Sequence, residues 1–116
     1  MIKITDNLIH LMKLLADNTR LEILLTLRHG KELCVSDIEE NLDITQSHLS
    51  QQLKKLQEAD LLLVRREGRK KYYKIRNEDI FKIIKMVQAF LNNIEQNIME
   101  EKMDKMTKRY IMDSLL

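Results

Sequence analysis

Residues 36–76 read SDIEENLDITQSHLSQQLKKLQEADLLLVRREGRKKYYKIR. Four elements can be taken from this stretch in order. Ser36-Asp37-Ile38-Glu39 has the form of a capping box, with a hydroxyl at the cap and a carboxylate three residues on. It predicts a short helix opening at Ser36 and ending near Leu42. Asp43-Ile44 make a tight connection. Thr45 then caps a second helix running to about Ala59. Leu49, Leu53 and Leu56 recur at helical spacing and predict a buried stripe. The opposite face carries Gln46, Ser47, His48, Ser50, Gln51, Lys54 and Lys55. Residues 61–66 (LLLVRR) and 71–76 (KYYKIR) flank Glu67-Gly68-Arg69-Lys70, the pattern of a β-hairpin around a Gly turn. Helix, turn, helix and hairpin in this order predict a mainly α fold with a small β-hairpin, a winged helix-turn-helix.

Upstream, Thr5 or Asp6 is expected to cap a first helix, with Ile4, Leu8, Leu11, Met12 and Leu15 on one stripe. Asp17 or Asn18 is expected to cap a second, carrying Leu21, Leu24, Leu25 and Arg28. Gly30 is the expected left-handed residue after that helix, and His29 a cation favourable at its C-terminus. Downstream, a long helix starts near Glu78. Ile80, Ile84, Val87, Leu91, Ile94 and Ile98 form a heptad-like seam, the pattern of a helix that packs on another helix. After Ile98 the stripe shifts by one residue to Met99, Met103, Met106 and Tyr110, which predicts a bend, a break or a change of partner around Glu100. A small domain needs only one of these two apolar helices to close its core. A homodimer is therefore expected, its interface formed by Leu8, Leu11, Ile84, Val87, Leu91, Ile94 and Ile98. On this reading residues 1–98 form the winged domain with its dimerisation helices. Residues 99–116 form a C-terminal helical extension, suited to extra dimer packing or to an apolar ligand.

Composition supports this architecture. Of 116 residues, 44% are hydrophobic and 33% charged, with two Gly and no Pro. That apolar fraction can build a core, and the scarcity of turn residues argues against an all-β fold. One Cys excludes an intrachain disulfide framework. No signal-peptide pattern opens the sequence and no run of about 18 apolar residues occurs, so a cytoplasmic protein without a membrane partner is expected. The net charge of +2 is unevenly spread. Residues 1–64 carry −3 and residues 77–116 carry −1. Residues 65–76 carry +6, from Arg65, Arg66, Arg69, Lys70, Lys71, Lys74 and Arg76 against Glu67. Charge so concentrated attracts polyanions.

These features point to double-stranded DNA as the partner. Gln46 and Gln51 offer paired amide donors and acceptors that match adenine. Ser47 and Ser50 can bond to base edges or phosphate, Lys54 to phosphate. Thr45 and His48 lie at the start of the same helix, where free backbone N–H groups also favour phosphate. Arg66, Arg69, Lys70 and Lys71 would hold the backbone beside the site. No phosphate loop, His-Glu-x-x-His or Cys-x-x-Cys spacing is present, and Ser47 and His48 are adjacent on a helix and diverge. No enzymatic function is expected. A winged helix used as a protein-interaction module, without DNA, is the alternative of another class. Such modules usually lose the polar helix face or the basic wing, and both are kept here.

LADNTRLEILLTL (15–27), ELCVSDI (32–38), TQSHLSQQLKKLQEADLL (45–62) and REGRKKYYKI (66–75) resemble, in order, the successive blocks of ArsR/SmtB-type transcriptional repressors. The resemblance spans roughly residues 8–98. It implies a cytosolic homodimer on a palindromic operator, dimerised through its first and last helices and released by an inducer. The family's effector sites transfer poorly. Arsenic- and cadmium-type members carry Cys-Val-Cys where this chain has Cys34-Val35-Ser36. Soft metals want two or more thiolates, and this chain has no other Cys. Ser36 is moreover expected as a helix cap. Zinc- and cobalt-type members carry Asp and His pairs on the last helix, and residues 77–116 contain no His. Sulfide-sensing members need two Cys. No metal and no cofactor is therefore expected. Cys34 stays open as a buried structural thiol, as a redox-sensing residue, or as a ligand beside Asp37 and a partner's His10. The inducer, small-molecule or redox, is not named by the sequence.

Overall fold

The computed structural model describes residues 3–115. The chain divides into two compact units, Met1–Glu78 and Asp79–Leu116. The first begins with three helical segments around a two-residue strand: α1 (Ile4–Leu15), α2 (Asn18–Thr26), β1 (Leu33–Cys34) and α3 (Val35–Glu40). The second half of this unit holds α4 (Gln46–Glu58) and the hairpin of β2 (Leu62–Glu67) and β3 (Lys70–Ile75). The other unit is a single helix, α5 (Ile80–Leu115).

The predicted hairpin is part of a three-stranded antiparallel sheet in the order β1-β3-β2. Leu33 and Cys34 pair with Tyr73 and Tyr72, so the short apolar stretch before α3 is an edge strand. In the core, Ile23, Leu24, Leu27, Ile38, Leu49, Leu53 and Leu56 of the helical part and Leu62 of β2 are fully buried. Each such side chain contributes about 1.5–3 kcal/mol by leaving water. α4 supplies three of them from one face and is thereby fixed from behind.

Helix ends explain most departures from expectation. α1 starts earlier than its expected caps, with Lys3 at the cap position and no side-chain cap. Asp6 instead lies in the first turn, where its charge suits the helix dipole. Only Leu14 of α1 is buried, and the stripe of Ile4, Leu8 and Met12 is exposed. Asp17 caps α2 as expected, its Oδ2 accepting from the Arg20 N–H at 2.9 Å. α2 ends at Thr26, however, and Leu27–Gly30 form turns. His29 (φ 66°) and Gly30 (φ 69°) are both left-handed and follow the helix rather than cap it. Gly30 N–H donates to Glu78 Oε1 at 3.0 Å.

α3 does not open at Ser36. Its cap is Cys34, and Asp37 accepts from the Cys34 N–H at 3.2 Å, so the reciprocal pair sits two residues upstream of the expected Ser36–Glu39 box. β1 fixes the backbone of Cys34 in extended form, and the helix begins as soon as that pairing ends. α4 closes with two bonds of a Schellman motif, Asp60 N–H to Gln57 carbonyl and Leu61 N–H to Leu56 carbonyl, both 3.0 Å. Asp60 takes the left-handed position (φ 60°) that Gly more often fills. The chain therefore turns straight from α4 into β2.

α5 runs unbroken through Glu100, so the bend or break expected there is absent. Its 36 residues span about 54 Å. At 3.6 residues per turn, the stripe of Met99, Met103, Met106 and Tyr110 lies about 110° around the helix from the Ile80–Ile98 seam. A one-residue shift rotates the apolar face without requiring a kink. No helix among the described residues is long and apolar enough to cross a membrane.

Candidate nucleic-acid interface

The candidate interface is built on α4 and the β2–β3 wing. Thr45 caps α4 as predicted, Oγ1 accepting from the His48 N–H at 3.1 Å. A hydroxyl that accepts in this way can still donate its own proton elsewhere. Leu49, Leu53 and Leu56 have no exposed surface. Their spacing turns Gln46, Ser47, His48, Ser50, Gln51 and Lys54 outward, and all six are exposed. A row of hydrogen-bonding side chains on a helix anchored from behind is what base-edge reading requires.

The wing is a two-residue turn, Gly68-Arg69, between paired strands. Gly68 has φ 62° while Arg69 stays out of the left-handed region, the φ pattern of a type II′ turn. Adding a Cβ at Gly68 would meet nothing, so its constraint is conformational. Register places Arg66 opposite Lys71 and Glu67 opposite Lys70. Residues 62, 64 and 66 share one sheet face with 75, 73 and 71. Arg66 and Lys71 thus extend, at the tip, the face whose inner part is Leu62, Tyr73 and Ile75. Like charges directly opposite each other destabilise a hairpin, and a bound anion would relieve that repulsion. Arg66, Arg69, Lys70 and Lys71 are exposed and form no salt bridge among the described residues.

Arg65 behaves differently from its neighbours. Its Nε donates to Glu32 Oε1 at 2.8 Å, its Nη2 to the same oxygen, and its Nη1 to Glu67 Oε2 at 2.8 Å. The guanidinium also lies 4.8 Å from the centre of the Tyr72 ring. The two carboxylates, Glu67 and then Glu32, hold it more firmly protonated than a free arginine. Arg65 therefore ties the wing to the segment before β1 and is removed from the cations open to a ligand. Composition alone counts it among them.

Cys34 is buried (6% exposed). Its Sγ donates to Asp37 Oδ2 at 3.1 Å and lies 3.8 Å from Ser36 Oγ. The Asp37 carboxyl is held below its ordinary range, first by the Cys34 thiol and next by the Cys34 N–H; burial opposes this and Lys70 adds a lesser pull. His10 is exposed on α1, away from this pair in sequence and element. No cluster of three or more metal-ligating side chains occurs among the described residues.

The expected dimer residues are spread over two elements. Leu8 (52%), Val87, Leu91, Ile94 and Ile98 are exposed, and Leu11 and Ile84 are half-buried. Sequence reasoning does not single out Ile9, Met86 and Phe90, which are exposed and apolar as well. Their signal lies in the same helical periodicity, at flanking positions.

The sequence model of the bacterial regulatory protein, arsR family matches residues 17–63, from the α2 cap into β2. A biofilm growth-associated repressor of Agrobacterium fabrum is 36% identical over 88 residues, covering 76% of this chain and 74% of the relative. The chain belongs to the ArsR family. An arsenical resistance operon repressor of Escherichia coli K12 is 45% identical over 67 residues, covering 58% of this chain and 57% of the relative. This ArsR-family chain thus spans a little over half the length of the Escherichia coli protein. A homodimeric winged helix-turn-helix DNA-binding domain from Mycobacterium bovis superposes with a TM-score of 0.67 at 30% identity, covering 80% of this chain and 85% of that one. ArsR-family proteins are transcriptional regulators and not enzymes.

Proposed function

We propose that this chain is a DNA-binding transcriptional repressor that acts in the cytoplasm as a homodimer on a palindromic operator. The observation that carries the reading is the outward polar row of α4, held from behind by three buried leucines, beside a wing tip whose four cations form no salt bridge among the described residues. Gln46 and Gln51 are assigned to base edges, with Ser47, Ser50 and His48 beside them. Lys54, Arg66, Arg69, Lys70 and Lys71 are assigned to phosphates. The uncovered apolar stripes, one on α1 and one on α5, support dimerisation, because large apolar side chains left exposed along a helix face mark an interaction site. A two-fold dimer places two copies of α4 on two half-sites, which is why the operator is read as palindromic. The relatives regulate arsenic resistance or biofilm growth by name. A lone Cys34 with Ser36 in place of a second thiol does not offer the paired thiolates that soft metals prefer, so the inducer is assigned to another chemistry.

Fluorescence polarisation on duplexes selected from a random pool tests this. Arg69→Ala with Lys70→Ala should weaken binding to every sequence and flatten the logarithmic salt slope by about 0.9 for each phosphate that is no longer neutralised. Gln51→Ala should instead reduce discrimination at one position in each half-site by about 1–3 kcal/mol. Absence of duplex binding at low salt would overturn the reading.

A further inference from the structure

Gln52 is the buried polar residue of α4, 7% exposed between leucines. A carboxamide removed from water is costly unless it is bonded. Its Oε1 accepts from Arg20 Nη1 at 2.8 Å. The other guanidinium nitrogens of Arg20 turn to α1: Nε donates to the Leu14 carbonyl at 2.6 Å and Nη2 to the Lys13 carbonyl at 3.4 Å. Those carbonyls belong to the last turn of α1, where no helical N–H follows to accept from. The Met12 carbonyl is taken by the Ala16 N–H at 3.0 Å, and Arg20 takes the next two. One side chain of α2 thus closes the end of α1 and grips the inner face of α4.

We infer that Arg20 and Gln52 are positioning residues that set the rotation of the DNA-reading helix relative to the dimerisation helix. The inference rests on the function proposed above. Leucines hold α4 against the core, but the hydrophobic effect that drives their burial is non-directional. Charge-assisted hydrogen bonds from a guanidinium are directional and add an angular constraint. Gln51 is the preceding residue on the same helix, about 100° around it. Whatever fixes the angle of Gln52 therefore fixes the direction of Gln51. If α1 joins the two protomers, the same bonds set the separation of the two reading helices and so the preferred half-site spacing.

The test uses the full chain and a duplex that the wild-type protein selects from a random pool, together with versions lengthened or shortened by one base pair at the centre. Gln52→Leu fills the volume without an acceptor, Gln52→Glu keeps one, and Arg20→Lys keeps charge without the three-way reach. Thermal melting and sedimentation first establish which variants are folded and dimeric. Folded, dimeric Gln52→Leu is expected to lose about tenfold in affinity for the selected duplex, with a flattened preference among the three spacings. Gln52→Glu is expected to retain that preference. Arg20→Lys combined with Gln52→Leu is expected to bind no worse than the weaker single variant, because both remove one interaction. The salt slope should stay at the wild-type value, since no phosphate-binding residue is altered. An unchanged spacing preference in folded Gln52→Leu, or additive losses in the double variant, would overturn the inference and leave the proposed function standing. Failure of the wild-type protein to select any duplex would overturn both. Should Gln52→Leu not fold, the comparison of Arg20→Lys with Gln52→Glu decides by the same spacing readout.

Discussion

Asp37 shows how one carboxylate can organise a junction. It accepts from both the N–H and the thiol of Cys34, at the point where β1 ends and α3 begins. These bonds favour its charged form, so its pKa in the folded chain lies below the ordinary value of 3.8. A carboxyl whose pKa falls on folding contributes stability that is complete above its unfolded pKa. That contribution is lost as pH drops below 3.8 through the folded value. Asp37→Asn should therefore remove part of the acid limb of a stability-versus-pH curve while leaving the slope near neutrality unchanged. Urea melts between about pH 2 and 7 would check this, and an unaltered acid limb would exclude the assigned role. At the same scale, the expected hydroxyl cap of α3 is replaced by a cysteine cap. The sequence shows only Ser36-x-x-Glu39 as a box, since cysteine is not among the favoured cap residues. The pairing of Cys34 with Tyr72, 38 positions away, moves the helix start to Cys34.

Among elements, the wing sets stability against binding. Arg66 faces Lys71 across the hairpin, and opposed like charges there cost a few tenths to about 1 kcal/mol relative to a matched pair. Lys71→Glu should accordingly raise hairpin stability by that order while weakening affinity for duplex DNA. Chemical denaturation together with polarisation would show the two moving in opposite directions; a loss of both would sink the argument. The contrast with α4 explains what a reader of the sequence can and cannot see. The polar face of α4 is legible because Leu49, Leu53 and Leu56 and the Thr45 cap are local signals. The quenching of Arg65 by Glu32 is not, because those residues are 33 positions apart and meet only once β1 and the hairpin are placed. Arg20 and Gln52, 32 positions apart, are hidden for the same reason. The two-residue β1 is equally invisible, being too short to carry an alternation of its own.

The whole molecule has an uneven charge and an uneven helix. A mildly acidic body with a basic wing tip favours docking by one face. The first apolar face of α5, seen in the sequence as a seam, is offered to a second copy on the proposed reading. The second face, Met99 to Tyr110, begins where the first stops and points elsewhere. A helical stretch of this length without a packing partner is marginal in water. Hydrogen–deuterium exchange should resolve α5 into two zones. Backbone amides before Ile98 should exchange slowly in the dimer. Those after Met99 should approach open-chain rates, with the Lys108–Asp104 ion pair adding only a few tenths of a kcal/mol. Uniform protection along α5 would instead mean that the dimer already covers both faces. Because the helix is continuous, any binder that quiets exchange in the outer zone also lengthens the ordered rod. The Met-rich end is then a thermodynamic gauge on this chain, its amide protection reporting how fully that face is occupied at a given moment.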